Sequence, residues 1–129
     1  MEDGGWRGWG GVWGRMGRMT EQTPILMLCR DLMFTSKVIA TARAAGVAVR
    51  TVRDPGQLPG EGRKLIVDLT LEGALGAAGR WKQGVGGTVI AFAPHVDVET
   101  IRAAREAGLD QVLTRGAFTA QLETLIREE

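Results

Sequence analysis

Residues Leu65–Ala78 read LIVDLTLEGALGAA. The first five, LIVDL, form a nearly unbroken apolar run, the pattern of a strand covered on both faces. Leu71, Ala74, Leu75 and Ala78 then recur at spacings of three and four, which puts them on one face of a helix. A strand followed by a helix is a βα unit, and the chain repeats it in both directions.

Toward the N-terminus, Ile25–Cys29 (ILMLC) is a continuous apolar strand, and Phe34, Val38, Ile39 and Ala42 follow at helical spacing, closed by Gly46. Val47–Val52 is a β-branched second strand. Toward the C-terminus, Thr88–Phe92 (TVIAF) is a fourth strand. Val98, Ile101, Ala104 and Arg105 mark a helix ended by Gly108. Gln111–Thr114 (QVLT) is a short fifth strand, and Leu122, Leu125 and Ile126 stripe a last helix. Repeated βα units with apolar strands imply an α/β fold, a parallel sheet with helices on both faces. Right-handed crossovers and five strands favour the doubly wound order 2-1-3-4-5. One crossover differs. Arg53–Arg63 reads RDPGQLPGEGR, and its two prolines and three glycines leave little room for a helix. A loop or single turn is predicted there, so the second helix is reduced or absent.

The 129 residues suit one domain. Lys+Arg number 16 against 15 Asp+Glu, a net charge of +1, which excludes a simple electrostatic nucleic-acid binder and gives no polybasic membrane anchor. Hydrophobic residues are 44% of the chain, enough for a packed core. No run approaches the roughly 18 apolar residues of a membrane span. A single cysteine excludes an internal disulfide and multi-cysteine zinc sites, and a single histidine removes most metal sites and hydrolase triads.

Seven of the 19 glycines and three of the four tryptophans fall in residues 1–18. That stretch has neither a signal-peptide apolar run nor a period of 2 or 3.6. Trp6, Trp9 and Trp13 with Arg7, Arg15 and Arg18 could touch nucleic acid or lipid. The ordering entropy of glycine-rich chain favours a disordered Gly/Trp/Arg-rich tail over 1–22, or translated upstream sequence with the natural start at Met16 or Met19, ahead of a domain over 23–129. Without residues 1–18 the chain keeps 13 basic and 13 acidic residues and is formally neutral.

In a sheet of this order, sites form outside the strand carboxyl ends, at the switch point between strands 1 and 3. The residues there are Cys29, Arg30 and Asp31, then Asp68 and Thr70, then Ala93 to His95, and Arg115 after strand 5.

The segments ILMLCRD, LIVDLT, TVIAFAPH and AREAGLDQVLTRGAF carry a resemblance. Over residues 25–127 the chain resembles the receiver domain of two-component response regulators, the CheY-like superfamily, in a degenerate or pseudo-receiver form. The resemblance implies a flavodoxin-like fold and a role in signal relay. Receivers accept phosphate on an aspartate after strand 3, matched by Asp68. Their acidic pair that holds Mg²⁺ matches Cys29 and Arg30, which strips the site of hard oxygen ligands. The hydroxyl residue after strand 4 matches Ala93, the lysine after strand 5 matches Arg115, and the proline after it matches Gly116. Arginine keeps the charge but changes reach and donor geometry. The loop after Asp68 is altered to Thr70-Leu71-Glu72-Gly73. Phosphoryl transfer depends on charge neutralisation shared by metal, hydroxyl and cation, and two of these three are missing. Asp68 is therefore expected to cap the next helix or to pair with Arg30 or Arg115, fixing one conformation.

The remaining candidates read as structural. Gly84-Val85-Gly86-Gly87 precedes a strand, so it is a loop and not a phosphate cradle. Cys29 is a core residue before it is a reactive thiol, and His95 is a solvated loop residue. Trp81 either packs over its helix end or marks a partner surface. Arg102/Glu106 and Glu123/Arg127 look like solvated i,i+4 pairs.

The expected function is a phosphorylation-independent receiver-like signalling module in the cytoplasm, acting by protein–protein interaction and not as an enzyme. Its partner is a protein such as a signalling kinase or an output protein, or a second copy in a homodimer, with no nucleic acid and no membrane. By the resemblance, the docking face is the helix before strand 5, strand 5 itself and the last helix: Arg102, Arg105, Glu106, Val112, Thr114 and Gln121. With no DNA-binding or enzymatic domain attached, output passes through the partner. No cofactor or resident metal is expected. Mg²⁺ enters only in the alternative, a working receiver phosphorylated on Asp68. A third reading is a small-ligand or nucleotide sensor using Arg30, His95 and Arg115 at the strand-end rim.

Overall fold

The computed structural model describes residues 24–128. The tail expected over 1–22 lies outside the described residues. Five parallel strands, β1 (Ile25–Leu28), β2 (Val49–Val52), β3 (Lys64–Asp68), β4 (Thr88–Ala93) and β5 (Gln111–Thr114), pair in the order β2-β1-β3-β4-β5. This is the doubly wound order predicted. The helices are α1 (Leu32–Ala44), α2 (Ala74–Val85), α3 (Val98–Glu106), α4 (Arg115–Ala120) and α5 (Leu122–Arg127). The second crossover forms only the single 3₁₀ turn Pro55–Gln57, held by Asp54 Oδ1, which accepts from the Gly56 N–H at 2.9 Å.

Alternation along the central strands builds two cores. Ile25, Met27, Ile66, Ile90 and Phe92 face α1, α4 and α5, where Val38, Ala42, Phe118, Leu122, Leu125 and Ile126 meet them. Leu26, Leu28, Leu65, Val67 and Val89 face α2 and α3, under Ala74, Ala78, Trp81 and Ala104. Burial on both faces explains why β1 and β3 read as unbroken apolar runs.

Two features depart from expectation. Val98 and Ile101 lie on the solvent side of α3, 72% and 39% exposed, because that helix packs through the small Ala104 alone. The last helix starts at Arg115, well before its apolar stripe, because the Thr114 hydroxyl accepts from the Ala117 N–H at 3.1 Å. It is divided from α5 at Gln121.

At the end of the sheet away from the rim, Lys64 is buried on β3. Its ammonium donates to the carbonyl oxygens of Leu125 and, at 2.6 Å, Glu128. It satisfies carbonyls that the end of α5 leaves without partners.

Candidate functional site

Asp68 is the last residue of β3, set opposite Phe92 of β4, and its side chain is buried. Oδ1 accepts from the Thr70 N–H at 2.9 Å and from the Thr70 hydroxyl at 2.7 Å. Because α2 starts only at Ala74, Asp68 ties down the turn leaving the strand and does not cap the helix. The Cys29 thiol stands 3.8 Å from Oδ2. Burial pushes that thiol up, which disfavours the thiolate.

Arg115 pairs with Asp31 and not with Asp68. Its Nη2 lies 2.5 Å from Asp31 Oδ2, and its guanidinium carbon lies 4.2 Å above the Phe34 ring centroid and 6.0 Å from that of Phe92. Phe34, Phe92 and Phe118 form an aromatic platform with centroid separations of 5.0, 5.1 and 5.8 Å. Asp31 also caps α1, accepting from the Phe34 N–H at 3.1 Å. That N–H first, and then Arg115, holds the Asp31 carboxyl below the usual carboxylate range. Arg30 points elsewhere, its Nε donating to the Arg53 carbonyl at 2.9 Å.

The pairing of Asp68 with Arg30 or Arg115 is therefore not formed. Asp31 offers Arg115 both a carboxylate and, three residues on, an aromatic face, which Asp68 cannot match. Cys29, Asp68 and Thr70 make one cluster, and Asp31 and Arg115 make another. Ala93 is buried at the end of β4, and His95 is exposed in the loop after it. The rim gathers no anion pocket from Arg30, His95 and Arg115, because the first is bonded to Arg53 and the last to Asp31.

A Mg²⁺ ion at this rim would need several hard oxygens. Cys29 and Arg30 supply none, Asp31 is engaged by Arg115 and the helix cap, and Asp68 Oδ1 is taken by Thr70. Among the described residues no three His, Cys, Asp or Glu side chains converge. These donors do not fit the ion.

Compared by sequence, the chain matches no protein-family model and none of the curated proteins. Compared by structure, it is similar to the receiver domain of a NarL response regulator from Mycobacterium tuberculosis (TM-score 0.68, 12% identity, 82% of this chain and 94% of that one). It is also similar to a response regulator of Burkholderia pseudomallei with a phosphorylated aspartic acid (0.64, 17%, 81% and 68%). An orphan response regulator of H. pylori matches as well (0.64, 15%, 83% and 98%). The fold is that of a CheY-like receiver domain.

On this receiver fold the outer side of α3 carries a hollow of about 600 Å³ lined by Val98, Ile101, Arg102, Arg105 and Glu106. Arg102 pairs with Glu99 at 3.1 Å and not with Glu106, whereas Arg127 and Glu123 form the expected pair at 3.1 Å. Val112 is half-buried on β5, Gln121 is exposed between α4 and α5, and the Thr114 hydroxyl serves as the α4 cap. Trp81 is buried over the second core, so it packs and presents no partner surface. Sequence reading missed the platform under Arg115, the outward Val98 and Ile101, and Thr35, a buried polar residue of α1. Chain order gives no signal for any of these, since each depends on which face a helix turns inward.

Proposed function

We propose that the chain is a phosphorylation-independent, receiver-like signalling module of the cytoplasm that works by binding another protein. The observation that carries this reading is the engagement of Arg115. The cation that would meet a phosphoryl group on Asp68 is held instead by Asp31 and stacked on Phe34. The lack of a Mg²⁺-binding carboxylate pair and of a hydroxyl at Ala93 supports the same conclusion, because phosphoryl transfer needs those groups in place. Among the described residues, the rim pairs no acid with a base for other catalysis.

The partner is a protein, such as a signalling kinase or an output protein, and a second copy of the chain fits the same face. Arg102, Arg105, Glu106, Val112, Thr114 and Gln121 are proposed to contact it. The exposed Val98 and Ile101 add the apolar centre such a contact needs, ringed by charge. Neither nucleic acid nor membrane is proposed as a partner, given the balanced charge.

The test is incubation of the chain with acetyl phosphate and Mg²⁺, followed by intact mass measurement. No gain of a phosphoryl group is expected. A gain that disappears in Asp68→Asn would replace this reading with that of a working receiver.

A further inference from the structure

Between Asp31 and Asp54 the chain holds four cations, Lys37, Arg43, Arg50 and Arg53, and no acid, whereas residues 54–128 hold 10 acids and 8 bases. All four cations are exposed, and among the described residues none of them forms an ion pair. Three of them gather at one edge of the sheet. Arg50 lies on β2, which pairs with β1 alone in the order β2-β1-β3-β4-β5, Arg53 follows that strand, and Arg43 of α1 lines a hollow against it. The opposite edge is mixed, with Arg105, Glu106 and Asp110 ahead of β5. The balanced total charge hides this polarity.

The β2 edge also offers main-chain groups. The carbonyls of Ala48 and Val52 accept from the Ile25 and Cys29 N–H groups at 3.0 Å, so both face β1. Alternation then turns the N–H and C=O of Val49 and Thr51 to the open side, where no strand among the described residues meets them. On the α1 face the edge is bordered by a hollow of about 390 Å³, lined by Ile39, Arg43, Val47 and Val49. Val49 joins the core on that face and Val52 the core on the other, which places Arg50 on the face opposite Val49. The crossover that would cover Arg50 forms only the turn Pro55–Gln57.

A strand laid on this edge meets free donors and acceptors, an apolar hollow on one face and a guanidinium on the other. Its side chains would alternate, apolar toward Ile39 and Val49 and acidic toward Arg50, with Arg43 and Arg53 at its flanks. A second copy fits poorly, because it would set these arginines against themselves, and charge on an edge discourages pairing with a like strand. Nucleic acid would leave the main-chain groups unused and find no free ring for stacking. The one aromatic between Asp31 and Asp54 is Phe34, which lies beneath Arg115.

We propose that the β2 edge takes an extended acidic segment of a partner protein as an added strand. This surface is separate from the α3 face described above, and the inference depends neither on that face nor on the state of Asp68. It is tested by titrating the full chain with a capped peptide of about six residues that alternates valine and aspartate. Amide hydrogen exchange followed by NMR should show the Val49 and Thr51 N–H groups slowed in the complex, and the valine–lysine counterpart should leave them unchanged. Arg50→Glu should weaken binding about tenfold, because an attraction becomes a repulsion. Thr51→Pro removes an outward N–H at an edge position where proline is tolerated, and should weaken binding by a similar factor. Absence of binding overturns the proposal, as does binding that leaves the two amides unprotected or equal binding of the lysine peptide. Protection that rises with the concentration of the chain alone overturns it in favour of a second copy. Tighter binding of a single-stranded oligonucleotide at the same edge overturns it in favour of nucleic acid. Because exchange in the wild type decides the question alone, failure of either variant to fold leaves the test intact.

Discussion

A displacement of one residue governs the chemistry at the rim. The carboxylate that follows β1 is Asp31, one position beyond Arg30, and from there it caps α1 and reaches Arg115 instead of joining Asp68. Asp68 in turn bonds Thr70 and lies against Cys29, so its charge is met by local donors and not by a cation. The Arg115 side chain is 38% exposed, so its ion pair adds little on its own and weakens with salt. The stacking over Phe34 is the steadier part. Arg115→Ala should therefore lower stability by about 0.5–1 kcal/mol in urea titration, a typical cation–π contribution. The loss should persist in 1 M NaCl. A loss that vanishes at high salt would assign the effect to Asp31 instead of Phe34.

Among the elements, α2 shows most plainly how contact and not residue type sets the cost of a change. A β-carbon on Gly87, just past the end of α2, would come within 2.6 Å of Trp81 Cη2 and 2.8 Å of the Arg63 carbonyl oxygen. Backbone cannot retreat, so Gly87→Ala should cost about 1–3 kcal/mol, the range for overpacking. Gly76→Ala, inside α2, meets only the flexible end of Arg80 at 3.4 Å and should instead stabilise by about 0.5–1 kcal/mol through helix propensity. Paired thermal melts check both, and equal effects would refute the contact argument. The same distinction marks what the chain order makes legible. The apolar runs at Ile25 and Leu65 reveal a parallel sheet because every residue from Ile25 to Cys29 and from Leu65 to Asp68 is buried, and RDPGQLPGEGR reveals a missing helix because proline and glycine oppose one everywhere. The facing of α3 is hidden, since Ala104 suffices to seat it and Val98 is left outside. The rim residues are legible as a set from strand ends alone, but their partners are not. Whether Arg115 meets Asp68 or Asp31 depends on the side-chain path over Phe34, which no spacing encodes.

At the scale of the whole molecule, buried and bonded ionisable groups shape stability against pH in opposing limbs. Asp31, Asp97 and Asp110 all titrate below their ordinary value of 3.8. For Asp31 the cause is the Phe34 N–H and then Arg115. For Asp97 it is the Thr100 N–H and hydroxyl. For Asp110 burial pushes upward but is outweighed by the Val89 N–H and Lys82. A lowered carboxylate binds fewer protons folded than unfolded, so its stabilisation is present above 3.8 and is lost as pH falls through the folded value. The alkaline limb has two contributors of opposite sign. Burial, and then Arg63, lowers Lys64 from 10.5, with Glu128 opposing. Between the lowered value and 10.5 the unfolded chain holds the extra proton, so rising pH adds stability. Burial raises Cys29 from 9.0. Above 9.0 the unfolded thiol ionises first, so rising pH removes stability. Melting temperatures of the wild type, Lys64→Met and Cys29→Ala from pH 7 to 10.5 separate the two. Relative to Lys64→Met, the wild type should gain as pH rises, and relative to Cys29→Ala it should lose above pH 9. Parallel curves for the wild type and Lys64→Met would mean that the ammonium at the end of α5 is solvated in solution. The two carbonyls of Leu125 and Glu128 would then be met by water, and Lys64 would no longer join β3 to the last helix.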